Sequence, residues 1–115
     1  MTRGKRLADN YVLDALANDV EDLETVLRSL NSDTVLTWRQ VWGREFDREE
    51  VIEALARLIR QDLVQAYELD NNGTSLIELP ARTLPSGDFW NFWFGLTPRG
   101  RLVHQNWEPP LPPSP

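Results

Sequence analysis

The segment from residue 47 to residue 79 constrains the fold most, because it carries the signals of a helix and of a hairpin with no linker between them. Asp47 and Glu50 have the spacing of an N-terminal capping box. The residues that follow are apolar at helical spacing, which predicts a helix over about 47–61. The chain must therefore place an amphipathic helix directly beside a small sheet.

Two strands are predicted after that helix. Residues 63–69 alternate as a strand does, which predicts one side formed by Leu63, Gln65, Tyr67 and Leu69. Asn72-Gly73 is a frequent hairpin dipeptide, and residues 74–79 read as the returning strand. Residues 80–88, with two prolines, are predicted to form a loop.

An aromatic cluster, FWNFWF, occupies residues 89–94 and predicts a third strand over 89–96. Alternation directs Trp90, Phe92, Phe94 and Leu96 to the core, and Phe89 and Trp93 to the other face. A base-stacking platform is the alternative, but no basic residue lies between Arg82 and Arg99. Thr97 and Pro98 then predict the cap and first position of a short helix that ends near Gln105.

The N-terminal third is predicted to be helical over residues 9–30, as one helix or as two with a joint near Asn18-Asp19. Its apolar residues recur at steps of three and four over about three heptads. This seam either packs against the protein's own core or forms a dimer helix. It consists of Leu13, Leu16, Val20, Leu23, Leu27 and Leu30.

A second capping box, Thr37 with Gln40, predicts a short helix that ends at Gly43. Its apolar side chains share one face. They are Trp38, Val41 and Trp42.

Size and composition restrict the class of protein. The 115 residues suit one domain, with residues 1–8 as a basic flexible arm, 9–106 as the folded part and 107–115 as a Pro-rich tail. The chain has no cysteine, no signal-peptide pattern and no apolar run long enough to span a membrane. We expect a cytoplasmic protein. The net charge of −6 does not favour nucleic acid as a partner.

Motifs of catalysis are missing from the sequence. His104 is the only histidine, and it cannot build a common zinc site without cysteine. No serine lies in a nucleophile elbow, and no glycine-rich phosphate loop occurs. We expect no enzyme activity, no cofactor and no metal.

The order of predicted elements resembles the winged helix-turn-helix family, in particular small prokaryotic regulators of the MarR and PadR kind. The local matches are EVIEALARLIRQDLVQ at 50–65 and LTPRGRLV at 96–103. The resemblance implies an α+β fold with a three-helix core, a small antiparallel sheet as the wing, and an N-terminal helical extension. Two departures stand out. Asp62 occupies a position where the family usually has Gly, and the 70–91 connection is long for a wing.

The resemblance implies double-stranded DNA as the partner and transcription regulation as the role. Five arginines lie on the predicted helix-turn-helix, namely Arg39, Arg44, Arg48, Arg57 and Arg60. Of these, Arg44, Arg48 and Arg57 are expected to contact phosphates or bases.

The alternative is a winged-helix module that binds protein and not DNA. The first turns of the 47–61 helix hold four carboxylates, which suit the helix dipole but repel phosphate. Glu53 also stands four residues before Arg57, a spacing at which the two charges neutralise each other. The carboxylates are those of Asp47, Glu49, Glu50 and Glu53.

A homodimer is expected, with an interface formed by Leu13, Leu16, Val20 and Trp93. The competing interpretation is a kink near Asn18 that folds residues 9–17 over the Trp93 face of the same chain. The predicted core comprises Leu23, Leu27, Val41, Val51, Leu55, Leu58, Ile59, Leu63, Phe92, Phe94 and Leu96.

Overall fold

Four helices and a four-stranded antiparallel sheet make up the described part of the chain, residues 2–31 and 45–107, in a computed structural model. Side chains are described from residue 8 onward. The helices are α1 (Thr2–Ala15), α2 (Leu23–Leu30), α3 (Arg48–Arg60) and α4 (Pro98–Gln105). The strands are β1 (Glu21–Asp22), β2 (Val64–Leu69), β3 (Leu76–Glu78) and β4 (Trp93–Leu96). The fold is therefore α+β, as predicted.

The sheet has the strand order β1-β4-β2-β3, so β1 and β3 form its two edges. Val64 pairs with Leu96, and Tyr67 pairs with both Trp93 and Glu78. α3 packs on β2, α2 contacts β1, and α1 lies along α3 and against α2. The core between them includes Leu23, Val26, Leu55, Leu58, Ile59, Val64, Ala66 and Phe94.

Helix α3 forms as the sequence predicts. The Asp47 side chain accepts from the Glu50 amide, and the Glu50 side chain accepts from the Asp47 amide, which completes the capping box. Its inner face buries Val51, Leu55 and Ile59. Burying a leucine or isoleucine side chain contributes about 1.5–3 kcal/mol each, so this face holds the helix on the core.

The joint between α3 and β2 depends on a left-handed residue at position 62. Asp62 has φ of 62°, and the Leu63 amide then donates to the Leu58 carbonyl. Asp tolerates this conformation better than most residues, because its short polar side chain bonds locally. The departure from glycine at this position is therefore compatible with the turn.

The N-terminal region divides at the joint expected near Asn18. Helix α1 ends at Ala15, residues 16–20 turn, and β1 precedes α2. α1 begins at Thr2, so most of the segment expected to be an arm is helical. Asp22 accepts from the Thr25 amide and caps α2. β1 was not predicted, since two residues show no periodicity.

The aromatic segment differs from the predicted strand. Residues Phe89–Asn91 form a 3-10 turn, and β4 begins only at Trp93. The Asp88 side chain accepts from the Trp90 amide and starts the turn. Trp90 is consequently 40% exposed, and its predicted core position is wrong. Phe89 instead stacks on Phe94, with ring centroids 5.8 Å apart.

The side of β2 predicted to carry Gln65, Tyr67 and Leu69 faces away from the core. Val64 and Ala66 are buried, whereas Gln65 and Tyr67 lie on the outer face of the sheet and Leu69 is exposed. Leu63 is buried at the helix–strand joint, before the strand begins. Leu27 and Leu96 are partly buried against the core. The predicted short helix near 37–42 and the core residue Val41 lie outside the described residues.

Helix α4 closes the fold. The Thr97 hydroxyl donates to the Asp62 carbonyl at 2.6 Å and accepts from the Gly100 amide at 2.9 Å, so it caps α4 and ties it to the α3–β2 joint. Pro98 occupies the first helical position. Trp107 packs edge-on against Tyr11, with centroids 5.2 Å apart, so the residue expected to open the tail belongs to the folded part.

Candidate binding surfaces

Arg57, predicted to contact DNA, is engaged inside the molecule. Its guanidinium binds both carboxylate oxygens of Asp9 on α1, with the shortest N–O distance 2.6 Å. The hydrogen bond with Asp9 raises the pKa of Arg57 above its usual value. About a quarter of the Arg57 side chain remains exposed. This bidentate pair holds α1 on α3 and leaves the guanidinium little capacity for a phosphate.

Arg48 is likewise held by neighbours. It donates to Asp88 at 3.0 Å and lies over the Trp90 ring, 4.7 Å from its centroid. The pKa of Asp88 is lowered, first by the hydrogen bond from the Trp90 amide and also by Arg48. Both partners of the ion pair are about half exposed, so solvent screening leaves it little stabilising effect.

The described arginines of the predicted DNA surface do not all lie on one side of α3. Arg48 and Arg57 are nine residues apart on α3, which at 3.6 residues per turn puts them about 180° apart around the helix. Arg60 is exposed, and no ion pair joins it to the described residues. Arg39 and Arg44 lie outside the described residues.

The exposed start of α3 is acidic. Asp47, Glu49 and Glu53 are all exposed there, and Glu50 closes the capping box. Glu53 lies 4.0 Å from Arg57, at the limit of an ion pair, and its side chain is 63% exposed. A recognition helix presents this end to base edges, and this one would bring carboxylates toward phosphates.

The β2–β3 hairpin exposes apolar side chains among carboxylates. Leu69 is 44% exposed, Leu76 39% and Ile77 49%. Between Asp62 and Ala81 the chain has no Lys or Arg, and its charged residues are all acidic. Those carboxylates belong to Asp62, Glu68, Asp70 and Glu78. Leu69 and Leu76 lie on one side of the sheet and Ile77 lies on the other. The hairpin face, which here means both sides of this hairpin, therefore combines exposed apolar side chains with uniform negative charge.

Cross-strand pairing extends the hairpin face over the outer side of the sheet. Trp93, Tyr67 and Glu78 stand in one row across β4, β2 and β3. Burial raises the pKa of Tyr67, and the Glu78 charge adds to that effect. Trp93 is half-buried on this side of the sheet, which is the face predicted for it.

Two of the expected interface residues are in the core of the single chain. Leu13 and Leu16 are each 1% exposed, because α1 packs along α3 once the chain turns after Ala15. The predicted dimer contact through them is wrong. The folding of residues 9–17 over the Trp93 face is also wrong. Val20 lies on that side of the sheet, against Gly95.

The candidate site for a small ligand among the described residues has a small volume. A cleft of about 180 Å³ opens between α1, the end of α3 and α4, below the roughly 300 Å³ of common ligand pockets. One of its lining groups, Asp9, already binds Arg57. Residues 2–31 and 45–107 contain no group of three potential metal ligands. None of their helices is long and apolar enough to cross a membrane.

No family model, curated protein or solved structure matches this chain. The surfaces themselves therefore have to indicate the function. Sequence reasoning found the acidic start of α3 but missed the hairpin face. The absence of Lys and Arg over 62–81 was the available signal.

Proposed function

We propose that this chain is a non-catalytic module of winged-helix type that binds another protein, and does not bind DNA. The hairpin face carries this proposal. It offers exposed Leu69, Leu76 and Ile77 beside carboxylates only. Exposed apolar side chains rimmed by polar groups are typical of protein-binding surfaces.

The winged-helix assignment is supported by the order of the described elements. A capped helix leads through a tight joint into a strand, a hairpin and a closing strand, and then a helix capped by Thr97. In that arrangement the β2–β3 hairpin takes the place of the wing. A wing that meets DNA needs Lys or Arg for the phosphates, and this hairpin has neither.

The arginines of α3 support the same conclusion. Two of the five residues predicted for DNA contact are bound by Asp9 and Asp88. Arg60 is the exception among the described arginines of that set, and it favours the competing proposal of a weak, sequence-independent DNA contact. One guanidinium gives little counterion release, so it does not by itself make a DNA-binding surface.

The proposal is tested by fluorescence anisotropy with two labelled probes. One is a mixed-sequence duplex of about 20 base pairs at about 50 mM salt, where backbone contacts are strong. The other is a short peptide in which Lys flanks two valines. We expect saturable binding of the peptide and none of the duplex.

Paired variants identify the surface responsible. Glu68→Gln with Glu78→Gln should weaken peptide binding, because it removes two of the four carboxylates of the hairpin face. Glu49→Gln with Glu53→Gln removes the same number of charges from α3 and should leave peptide binding unchanged. Saturable duplex binding that is lost in Arg48→Ala with Arg60→Ala would establish the DNA function instead.

A further inference from the structure

We propose that β3 is a pairing edge that accepts an extended segment of a partner protein, with the pattern basic, apolar, apolar opposite residues 78, 77 and 76. This rests on the proposed function and names the partner's chemistry and its mode of attachment. Three observations support it: the edge position of β3, the direction of its backbone groups, and the side chains on it.

The edge position follows from the strand order. β3 is the last strand after β2, and in the described residues it pairs with β2 alone. All three of its side chains are exposed. Native edge strands are commonly protected by Lys, by a bulge or by a cover. β3 carries no Lys, and in the described part of the chain its protection consists of its short length and of Pro80 beyond its end.

The direction of the backbone groups follows from the hydrogen-bond ladder. The Leu79 amide donates to the Ala66 carbonyl, and the Asp70 amide donates to the Ser75 carbonyl. Hydrogen-bonded pairs alternate along an antiparallel ladder, so Ile77 uses its backbone groups toward Glu68 in β2. The amides and carbonyls of Leu76 and Glu78 therefore point away from the sheet, toward the open edge.

Side chains specify what an added strand must carry. Leu76 and Glu78 lie on the outer face of the sheet, and Ile77 lies on the opposite face. Residues that pair across strands share a face. An added strand therefore needs a cation opposite Glu78 and apolar residues opposite Ile77 and Leu76. Three paired residues give few backbone bonds, so these side chains must supply much of the affinity.

A second copy of the chain fits this edge poorly. Two β3 strands paired antiparallel about Ile77 would set Glu78 of each against Leu76 of the other. No Lys or Arg between residues 62 and 81 could neutralise those two carboxylates. A basic segment satisfies the same position with an opposite-charge pair. The charge of the edge therefore favours a different protein over self-association.

Amide hydrogen exchange tests the pairing directly. The probe is the peptide acetyl-Ser-Lys-Val-Val-Lys-Ser-amide, in excess over the full chain. In the free chain the Ile77 amide should exchange slowly and those of Leu76 and Glu78 quickly. Saturating peptide should slow exchange at Leu76 and Glu78 by tenfold or more, with little change at Ile77. Peptides with Glu for both Lys, or with Pro for both Val, should give no protection.

Two variants at one position separate charge from backbone pairing. Glu78→Gln removes the carboxylate and keeps the amide, and it should weaken peptide binding severalfold. Glu78→Pro also removes the outward amide and should abolish protection at residue 76. Neither should lower the melting temperature by more than a few degrees, because that amide makes no bond to β2. Equal binding by the two variants would overturn strand pairing.

The remaining outcomes distinguish the two proposals. Peptide binding that protects amides elsewhere would overturn the edge proposal and leave the protein-binding function standing. Protection of Leu76 and Glu78 that rises with protein concentration, without peptide, would assign the edge to a second copy. Absence of peptide binding together with saturable binding of duplex DNA would overturn both.

Discussion

Gly100 shows, at the scale of one residue, why the aromatic strand ends in Thr-Pro-Arg-Gly. A Cβ at position 100 would lie 1.9 Å from the Leu63 carbonyl oxygen. That oxygen also accepts from the Thr97 amide. The start of α4 therefore crosses the α3–β2 joint at backbone contact distance, which requires a residue with no side chain.

Gly100→Ala should consequently destabilise the protein, against its helix propensity. Alanine would gain about 1 kcal/mol over glycine inside a helix, but the Cβ displaces backbone atoms at Leu63, and overpacking of this kind costs about 1–3 kcal/mol or more. We expect a lower midpoint in urea unfolding. The control is Gln105→Ala, an exposed change at the end of α4 that should have little effect. A midpoint raised by Gly100→Ala would contradict the close crossing.

At the scale of elements, local signals identified what is local. The capping box of α3 and the Thr97-Pro98 start of α4 were predictable because each depends on residues a few positions apart. β1 was not predictable, since its two residues are extended by pairing with β4. The 3-10 turn at Phe89–Asn91 was missed for a similar reason. Its aromatic residues favour a strand, but the Asp88 side chain binds the Trp90 amide and turns the chain.

The packing partner of the apolar seam in the N-terminal region also depends on residues outside the local pattern. Three heptads are marginal for a coiled coil, so the spacing of the seam favours a core helix over a dimer helix, and the turn at residues 16–20 decides between them. That turn carries Leu13 and Leu16 into the core beside α3. The candidate site was harder to predict still. The sequence shows where Arg48 and Arg57 lie on the helix. It does not show that Asp88 and Asp9 bind them, because these partners are tens of residues away along the chain.

Leu13→Ala should therefore destabilise the chain itself. Removing a fully buried leucine side chain costs about 2–5 kcal/mol, and Leu13 is 1% exposed. Leu13→Asp should abolish the cooperative unfolding transition, because it buries a charge with no partner. Circular dichroism with urea measures both effects.

Asp14→Ala is the matched control on the outer side of α1. It removes a partly exposed contact with His104, which is worth at most about 1 kcal/mol. A Leu13→Asp variant that stays folded while its particle mass halves would restore the dimer interpretation.

At the scale of the whole molecule, the free energy of unfolding should depend on the pH of the solution. Hydrogen bonds lower the pKa of three aspartates in the folded chain, from Thr25 to Asp22, from the Thr74 amide to Asp70 and from the Trp90 amide to Asp88. In the unfolded chain an aspartate has its usual pKa of about 3.9. The unfolded chain then binds more protons than the folded one, so stability is present above about pH 4 and is lost as pH falls through the folded pKa values.

We expect the free energy of unfolding, measured in urea, to fall between pH 5 and pH 3 by about the amount that these groups contribute. Asp22→Asn should flatten that dependence. Glu21 acts with the opposite sign, because burial raises its pKa and its charged form is disfavoured. Glu21→Gln should therefore increase stability at pH 7. A steeper acid dependence in Asp22→Asn would contradict the assignment.

The chain has a net charge of −6. Some of its exposed carboxylates lie at the start of α3 and on the β2–β3 hairpin, the two places where a winged helix that binds DNA would meet phosphate. Amide chemical-shift mapping of one labelled sample with the Lys-Val-Val peptide and with duplex DNA, each at about 50 mM salt, compares the two partners directly. The account predicts peptide-induced shifts confined to residues 67–79 and no saturable shift with DNA. Saturable DNA-induced shifts along α3, at residues 48–60, would contradict it.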